Sequence, residues 1–285
     1  MNYRAGVELI RPVNCVMIGF AVIVGEFVSS PGSIPLLQSA LAFMTGLFIC
    51  AYSMVVNDVY DVEVDRVNRP ERPIPSGRVS TQDANRLSIL VLAAGVACSV
   101  LSVKPAAVAI ALTYALLSWL YSSRAKKSGI WGNLIVASSL AVPFIYGGIV
   151  AGGSLGGSLL VLMAATSFFS GVGREVVKAM ADTLGDEQRG VNSIARVRGP
   201  RTASGVGAGF FLLAVFTSWA PLVLGLANSL YTYGVLVPDA IFVYLAASIL
   251  TDNGPSNAYR VKKIALAGML AGLVVFIGGG LSIVV

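Results

Sequence analysis

Nine runs of predominantly apolar residues, at about 12–29, 35–56, 86–103, 105–122, 131–150, 157–178, 203–224, 232–251 and 264–284, leave this chain few ways to fold. Each is close to the roughly 17 to 25 residues that a helix needs to cross a bilayer. Inside hydrocarbon a segment must satisfy its own backbone N–H and C=O groups, which an α-helix does and an open strand does not. The whole chain agrees: 56% of its 285 residues are hydrophobic and 12% charged, with a mean hydropathy of +0.80, outside the balance of a water-soluble domain. The reading is an all-α polytopic bundle of nine transmembrane helices. Only the eighth run leaves a choice, because Pro238 and Asp239 interrupt it after Tyr231-Thr232-Tyr233-Gly234. It starts late or follows a re-entrant turn, and eight crossings stay open.

Threading nine helices alternately through a membrane sorts the basic residues. Arg4, Arg11, the arginines from 66 to 86, Arg124, Lys126, Lys127, the cations from Arg174 to Arg201, and Arg260, Lys262 and Lys263 fall on one side; of 20 Lys and Arg, only Lys104 falls on the other. Lys and Arg accumulate on cytoplasmic loops, so the N-terminus reads as cytoplasmic and the C-terminus as outside. An even number of crossings breaks this sorting. The net charge of +6 therefore describes a one-sided rim suited to anionic headgroups or an anionic substrate. It does not describe a nucleic-acid surface, because the cations are scattered over short segments without a binding module.

Other residue types narrow the chemistry. Cys15, Cys50 and Cys98 lie in apolar runs without metal-ligand spacing and read as small core residues. The first run lacks a small-residue cleavage site after it and reads as an uncleaved span. The chain has no histidine, which removes imidazole zinc sites, Ser-His nucleophiles and imidazole proton relays. Carboxylates, Asn, Tyr, Lys and Arg remain.

Against this background, two acidic clusters with one spacing stand at the same-side ends of the second and sixth runs. Asn57, Asp61 and Asp65 follow one another at intervals of four, as do Asp182 and Asp186. On a helix each step of four turns only about 40°, so one face carries all three oxygens over about 12 Å. Carboxylates are costly near a bilayer and mark a site by default. Hard cations such as magnesium take oxygen ligands, typically one or two carboxylates plus substrate phosphate. The clusters read as two halves of a magnesium-diphosphate clamp. The competing reading is a solvated loop whose acids pair with Arg66, Arg69 and Arg72.

The stretch from Asn57 to Gly77, NDVYDVEVDRVNRPERPIPSG, closely resembles the first signature of the UbiA superfamily of intramembrane prenyltransferases, and Asp182 to Asp186 is similar to its second aspartate-rich motif. Within the superfamily, Arg174-Glu175-Val176-Val177-Lys178 before Asp182, and Arg11-Pro12-Val13-Asn14, look most like the archaeal branch that makes digeranylgeranylglyceryl phosphate. The loops at about 57–85 and 179–202, too long and too charged for simple connectors, are expected to cap a cytoplasmic active site, and the resemblance implies a single prenyltransferase domain over 1–285. It implies that Asn57, Asp61, Asp65, Asp182 and Asp186 hold Mg²⁺ on a polyprenyl diphosphate, with Asp61, Asp65, Asp182 and Asp186 catalytic. Diphosphate departs, and an acceptor nucleophile attacks the allylic cation. The acceptor that the resemblance implies is a lipid, geranylgeranylglyceryl phosphate; the alternatives are an aromatic acceptor of the 4-hydroxybenzoate type and, more remotely, a cation-coupled transporter.

Arg72, Lys126 and Lys178 are candidate diphosphate contacts, and Arg11 and Asn14 candidates for the acceptor's phosphate. Each cation also reads as a topology signal or a snorkelling side chain. Asp58 lies beside the metal face, where it orients a ligand or a loop arginine. Tyr121 belongs to the pocket or to the interfacial aromatic belt. Gly171 and Gly173 permit close helix approach, and Gly147-Gly148, Gly152-Gly153 and Gly156-Gly157 surround an uncharged turn. Membrane lipid is the expected surroundings, and no obligate protein partner is evident.

Overall fold

The computed structural model describes residues 3–30, 35–102, 104–152, 158–188 and 190–280; Gly153, Gly156, Gly157, Arg189 and the end of the ninth run lie outside the described residues. Every regular element among the described residues is helical, and nine spans are long and apolar enough to cross a membrane. Apolar side chains such as Phe216 and Val223 stand exposed on them, as lipid-facing helix surfaces require.

The chain divides into two compact units, Met1–Ile23 with Ile34–Lys126, and Val24–Ser33 with Lys127–Val285. The first holds α1 (Tyr3–Ile10), the start of α2 (Pro12–Ser29), α3 (Leu36–Tyr60), α4 (Val62–Asn68), α5 (Thr81–Leu101) and α6 (Pro105–Ser123). Here α3 packs against α1, α5 and α6. Pro105 opens α6 at a position whose N–H has no helical partner to lose. Ser80 caps α5 by accepting the Asp83 N–H at 3.0 Å. One apolar cluster joins Ala5 and Leu9 of α1 to Val55, Val62, Ile74 and Val79. Ile74 and Val79 thereby pin the charged loop between α4 and α5 beside the end of α3.

The second unit holds α7 (Ile130–Val150), α8 (Ser158–Ala181), α9 (Thr183–Gln188), α10 (Ile194–Arg198), α11 (Pro200–Val223), α12 (Ser229–Gly234), α13 (Leu236–Thr251) and α14 (Pro255–Gly280). Its core helix is α8, packed on α7, α11 and α14. Val172, Val176, Val177 and Met180 meet Phe211, Leu245, Ile249 and Val261. Gly171 and Gly173 allow this: a Cβ would lie 2.9 Å from Leu140 Cδ1 at the first and 2.7 Å from Phe211 at the second.

Two boundaries differ from the sequence reading. The eighth span is helical from Ser229 to Thr251 with one break, rather than a late start or a re-entrant turn. Val235 separates α12 from α13, and its N–H still donates to Tyr231 O at 2.9 Å. Pro238 falls in the first turn of α13, where its missing N–H costs little. The ninth span starts at Pro255, so Arg260, Lys262 and Lys263 lie inside α14 rather than before it. Aromatic partners make that tolerable: Lys262 and Lys263 stand 4.4 and 4.5 Å from the Tyr259 ring centroid, and Arg260 donates to Tyr244 Oη.

The α11–α13 contact is tied by a buried carboxylate. Asp239 accepts hydrogen bonds from Ser218 Oγ at 2.9 Å and Trp219 Nε1 at 2.7 Å, while Tyr231 Oη donates to Ser218 O at 2.8 Å. Removing the acceptor strands those donors, so Asp239→Ala should destabilise by about 1–3 kcal/mol. Thermal unfolding in detergent checks this, and Asp239→Asn, which keeps an acceptor, should fall between the two.

Candidate active site

Both acidic motifs straddle a break between helices. In the first unit α3 ends at Tyr60, Asp61 takes φ −91° and ψ 0°, and α4 begins at Val62. The hydrogen bonds nevertheless run on: Asp61 N–H donates to Asn57 O at 3.0 Å and Asp65 N–H to Asp61 O at 2.8 Å. Asn57, Asp61 and Asp65 thus keep helical spacing across the break. In the second unit α8 ends at Ala181, and Asp186 N–H donates to Asp182 O at 2.9 Å. The two motifs share one local construction.

The acids of the first motif are buried and ion-paired. Lys126 Nζ donates to Asp61 Oδ2, and Arg72 Nη1 reaches Asp65 Oδ2 at 2.5 Å and Asp58 Oδ1 at 3.3 Å. Arg11 Nη2 donates to the same Asp58 oxygen, and Arg11 Nη1 lies 3.6 Å from Met54 Sδ. Arg11 joins α1 to α2 at φ +51°, a left-handed backbone for a non-glycine residue ahead of a proline. Of the loop arginines, Arg72 serves the acids, whereas Arg66 turns outward to Glu63 at 2.9 Å. Arg78 and Glu8 form a bidentate pair at 2.6 and 3.1 Å that ties the loop to α1. Its hydrogen bond holds the Glu8 carboxyl below the usual carboxylate range.

The remaining sequence candidates fall as follows. Asn57 and Tyr121 are half-buried, and Asn14 is half-buried with its N–H on Arg11 O at 3.0 Å. In the second unit Asp186 is buried, and its carbonyl accepts the Val191 N–H at 2.8 Å. Lys178 Nζ donates to Glu175 Oε2 at 2.6 Å, and Arg174 Nη1 to Glu175 Oε1 at 3.0 Å. The sequence reading quoted Glu175 only as part of a motif and gave this buried carboxylate no role at the site. Its signal was there, a carboxylate one and three residues from cations in an apolar helix. Glu26, also buried, was not singled out, and Asp239, buried too, was read only as an interruption of the eighth run.

Among the described residues no group of three or more Asp, Glu, His or Cys side chains is gathered as a ready cation cage. The oxygens present suit a hard cation that takes one or two carboxylates and completes its shell with water and phosphate.

The sequence pattern of the UbiA prenyltransferase family matches residues 18–277. The chain belongs to that family. The digeranylgeranylglyceryl phosphate synthase of Archaeoglobus fulgidus is 34% identical over 276 residues, covering 95% of this chain and 94% of its own. The synthase of the same name from Sulfolobus acidocaldarius is 34% identical over 285 residues, covering 99% and 100%. A solved structure concerning digeranylgeranylglyceryl phosphate synthase in membranes matches with a TM-score of 0.80 at 32% identity over 98% of both chains. A UbiA homologue from Archaeoglobus fulgidus, solved with GPP and Mg²⁺ bound, matches in fold with a TM-score of 0.69 at 18% identity, covering 95% and 99%. This UbiA-family chain is therefore a multi-pass membrane prenyltransferase, and the transporter alternative falls away.

Proposed function

We propose that the protein transfers a geranylgeranyl group from its diphosphate to geranylgeranylglyceryl phosphate, in archaeal ether-lipid synthesis. The observation that carries this reading is full-length similarity to synthases of that name, at 34% identity. The Mg²⁺ and GPP bound in a UbiA homologue of the same fold support the cofactor and the diphosphate donor.

Asn57, Asp61, Asp65, Asp182 and Asp186 would hold Mg²⁺ against the diphosphate, with the four aspartates indispensable to turnover. The ion supplies Lewis-acid neutralisation of the leaving group. Lys126, Arg72 and Lys178 are placed by the proposal on diphosphate oxygens, where fixed cations stabilise charge as the carbon–oxygen bond breaks. Arg11 and Asn14 would take the acceptor's phosphate, Asp58 holds Arg11 and Arg72 in place, and Tyr121 lines the pocket. Apolar helix walls would hold the tail and keep water from the allylic cation. The acceptor hydroxyl forms the new carbon–oxygen bond, and its proton leaves to solvent. Loops 57–85 and 179–202 would cap the site on the cytoplasmic face, where the basic rim lies.

Purified protein with geranylgeranyl diphosphate and Mg²⁺ should yield product with geranylgeranylglyceryl phosphate and none with 4-hydroxybenzoate. Product with the aromatic acid alone overturns the lipid assignment. Omitting Mg²⁺ with a chelator should abolish turnover in either case.

A further inference from the structure

Three carboxylates and three cations meet where α3 passes into α4: Asp58, Asp61 and Asp65 against Arg11, Arg72 and Lys126. The acid side chains are 6%, 12% and 3% exposed, and Arg72 and Lys126 are 18% and 19% exposed. Charges this far out of water are costly unless matched. A divalent cation drawn alone to Asp61 and Asp65 takes Asp61 from Lys126 and leaves Arg72 only its longer bond to Asp58. A diphosphate drawn alone to Lys126 and Arg72 strands the two carboxylates. Arriving together, they exchange partners and leave every charge matched.

We infer that Lys126 and Arg72 are exchangeable counterions, which neutralise Asp61 and Asp65 until metal and diphosphate bind and then move to the diphosphate. The inference rests on the proposed metal and diphosphate site. It makes each ligand a requirement for tight binding of the other, and linkage makes the effect reciprocal. Asp58 gives the exchange its pivot. It lies off the metal face, keeps Arg72 on a second bond at 3.3 Å when Asp65 is withdrawn, and holds Arg11. Arg11 is the member outside the exchange, since its carboxylate partner is Asp58 and not a proposed metal ligand. The absence of a three-ligand acidic cage among the described residues agrees with a metal site that phosphate completes.

The test binds each ligand in the absence of the other, using the full chain in detergent. Mn²⁺ binding followed by electron paramagnetic resonance, without diphosphate, should be at least about 5-fold tighter in Lys126→Gln than in the wild type, the lower end of typical site coupling. Inorganic pyrophosphate binding in EDTA should tighten to a similar extent in Asp61→Asn. Arg66→Gln, which removes an equally charged but outward-facing group, should shift Mn²⁺ affinity less than 2-fold, separating counterion release from general electrostatics. Arg72→Gln repeats the Mn²⁺ measurement should Lys126→Gln not fold. Unchanged or weakened Mn²⁺ binding in the lysine and arginine variants overturns the exchange, as does a shift that Arg66→Gln reproduces. If the wild type still makes product in the acceptor assay, only the exchange has failed. If Mn²⁺ binding with pyrophosphate survives in Asp61→Ala, the site assignment itself has failed and takes the exchange with it.

Discussion

Asp61→Asn should lower kcat by about 10³-fold or more while the helical circular dichroism and the detergent gel-filtration profile stay those of the wild type. Two observations and the proposed metal role set the size of the effect. Asp61 sits at the break between α3 and α4, so its carboxylate is placed by backbone hydrogen bonds on both sides, to Asn57 O and from Asp65 N–H. It is buried and faces Lys126, so its charge acts in a poorly solvated place, where electrostatic stabilisation of a leaving group is worth most. A metal ligand lost at such a site removes several kcal/mol of transition-state stabilisation, and each 1.36 kcal/mol is tenfold in rate. Asparagine keeps the size of the side chain and a hydrogen-bond acceptor for Lys126, so the fold is spared what alanine would inflict. Turnover within about 10-fold of the wild type would remove Asp61 from the proposed metal set.

The membrane spans were legible because run length in an apolar chain leaves little else to decide. The inexact boundaries have local causes. The ninth helix reaches back through Arg260, Lys262 and Lys263 because Tyr259 and Tyr244 offer ring faces and a hydroxyl to those cations. A hydropathy reading counts the same residues as loop. The four-residue beat of the acids was legible too, since local spacing fixes which oxygens share a helix face. Of their partners only Arg72, a near neighbour in the loop, was legible, on Asp65 and Asp58; the distant ones were not. Arg11 lies 47 residues from Asp58 and Lys126 lies 65 from Asp61, and no periodicity in the chain encodes pairing over such distances. Arg66, the obvious neighbour, turns out to serve Glu63.

Close backbone approach was equally invisible in the sequence, and it sets up the largest stability effect. Gly129 precedes α7 at φ +64° and ψ −109°, a conformation for glycine. A Cβ there would lie 2.0 Å from Asn192 O and 2.8 Å from Asn192 C, backbone atoms that cannot swing aside as a side-chain tip can. The two strands of chain are already bound together, since Asn192 N–H donates to Lys127 O at 3.0 Å. Gly190 supplies the control: it shares φ +64° but has nothing within 4 Å of its would-be Cβ. Gly190→Ala should therefore cost about 1–2 kcal/mol, the left-handed backbone alone. Gly129→Ala should add the overpacking loss of about 1–3 kcal/mol and lower the unfolding temperature further. It should also reduce prenyl transfer, because Val191 N–H, next to Asn192, bonds to Asp186 O at 2.8 Å, so a displaced Asn192 pulls on the second aspartate motif. Equal losses of stability in the two variants would show that this contact relaxes freely and that backbone strain is the whole effect.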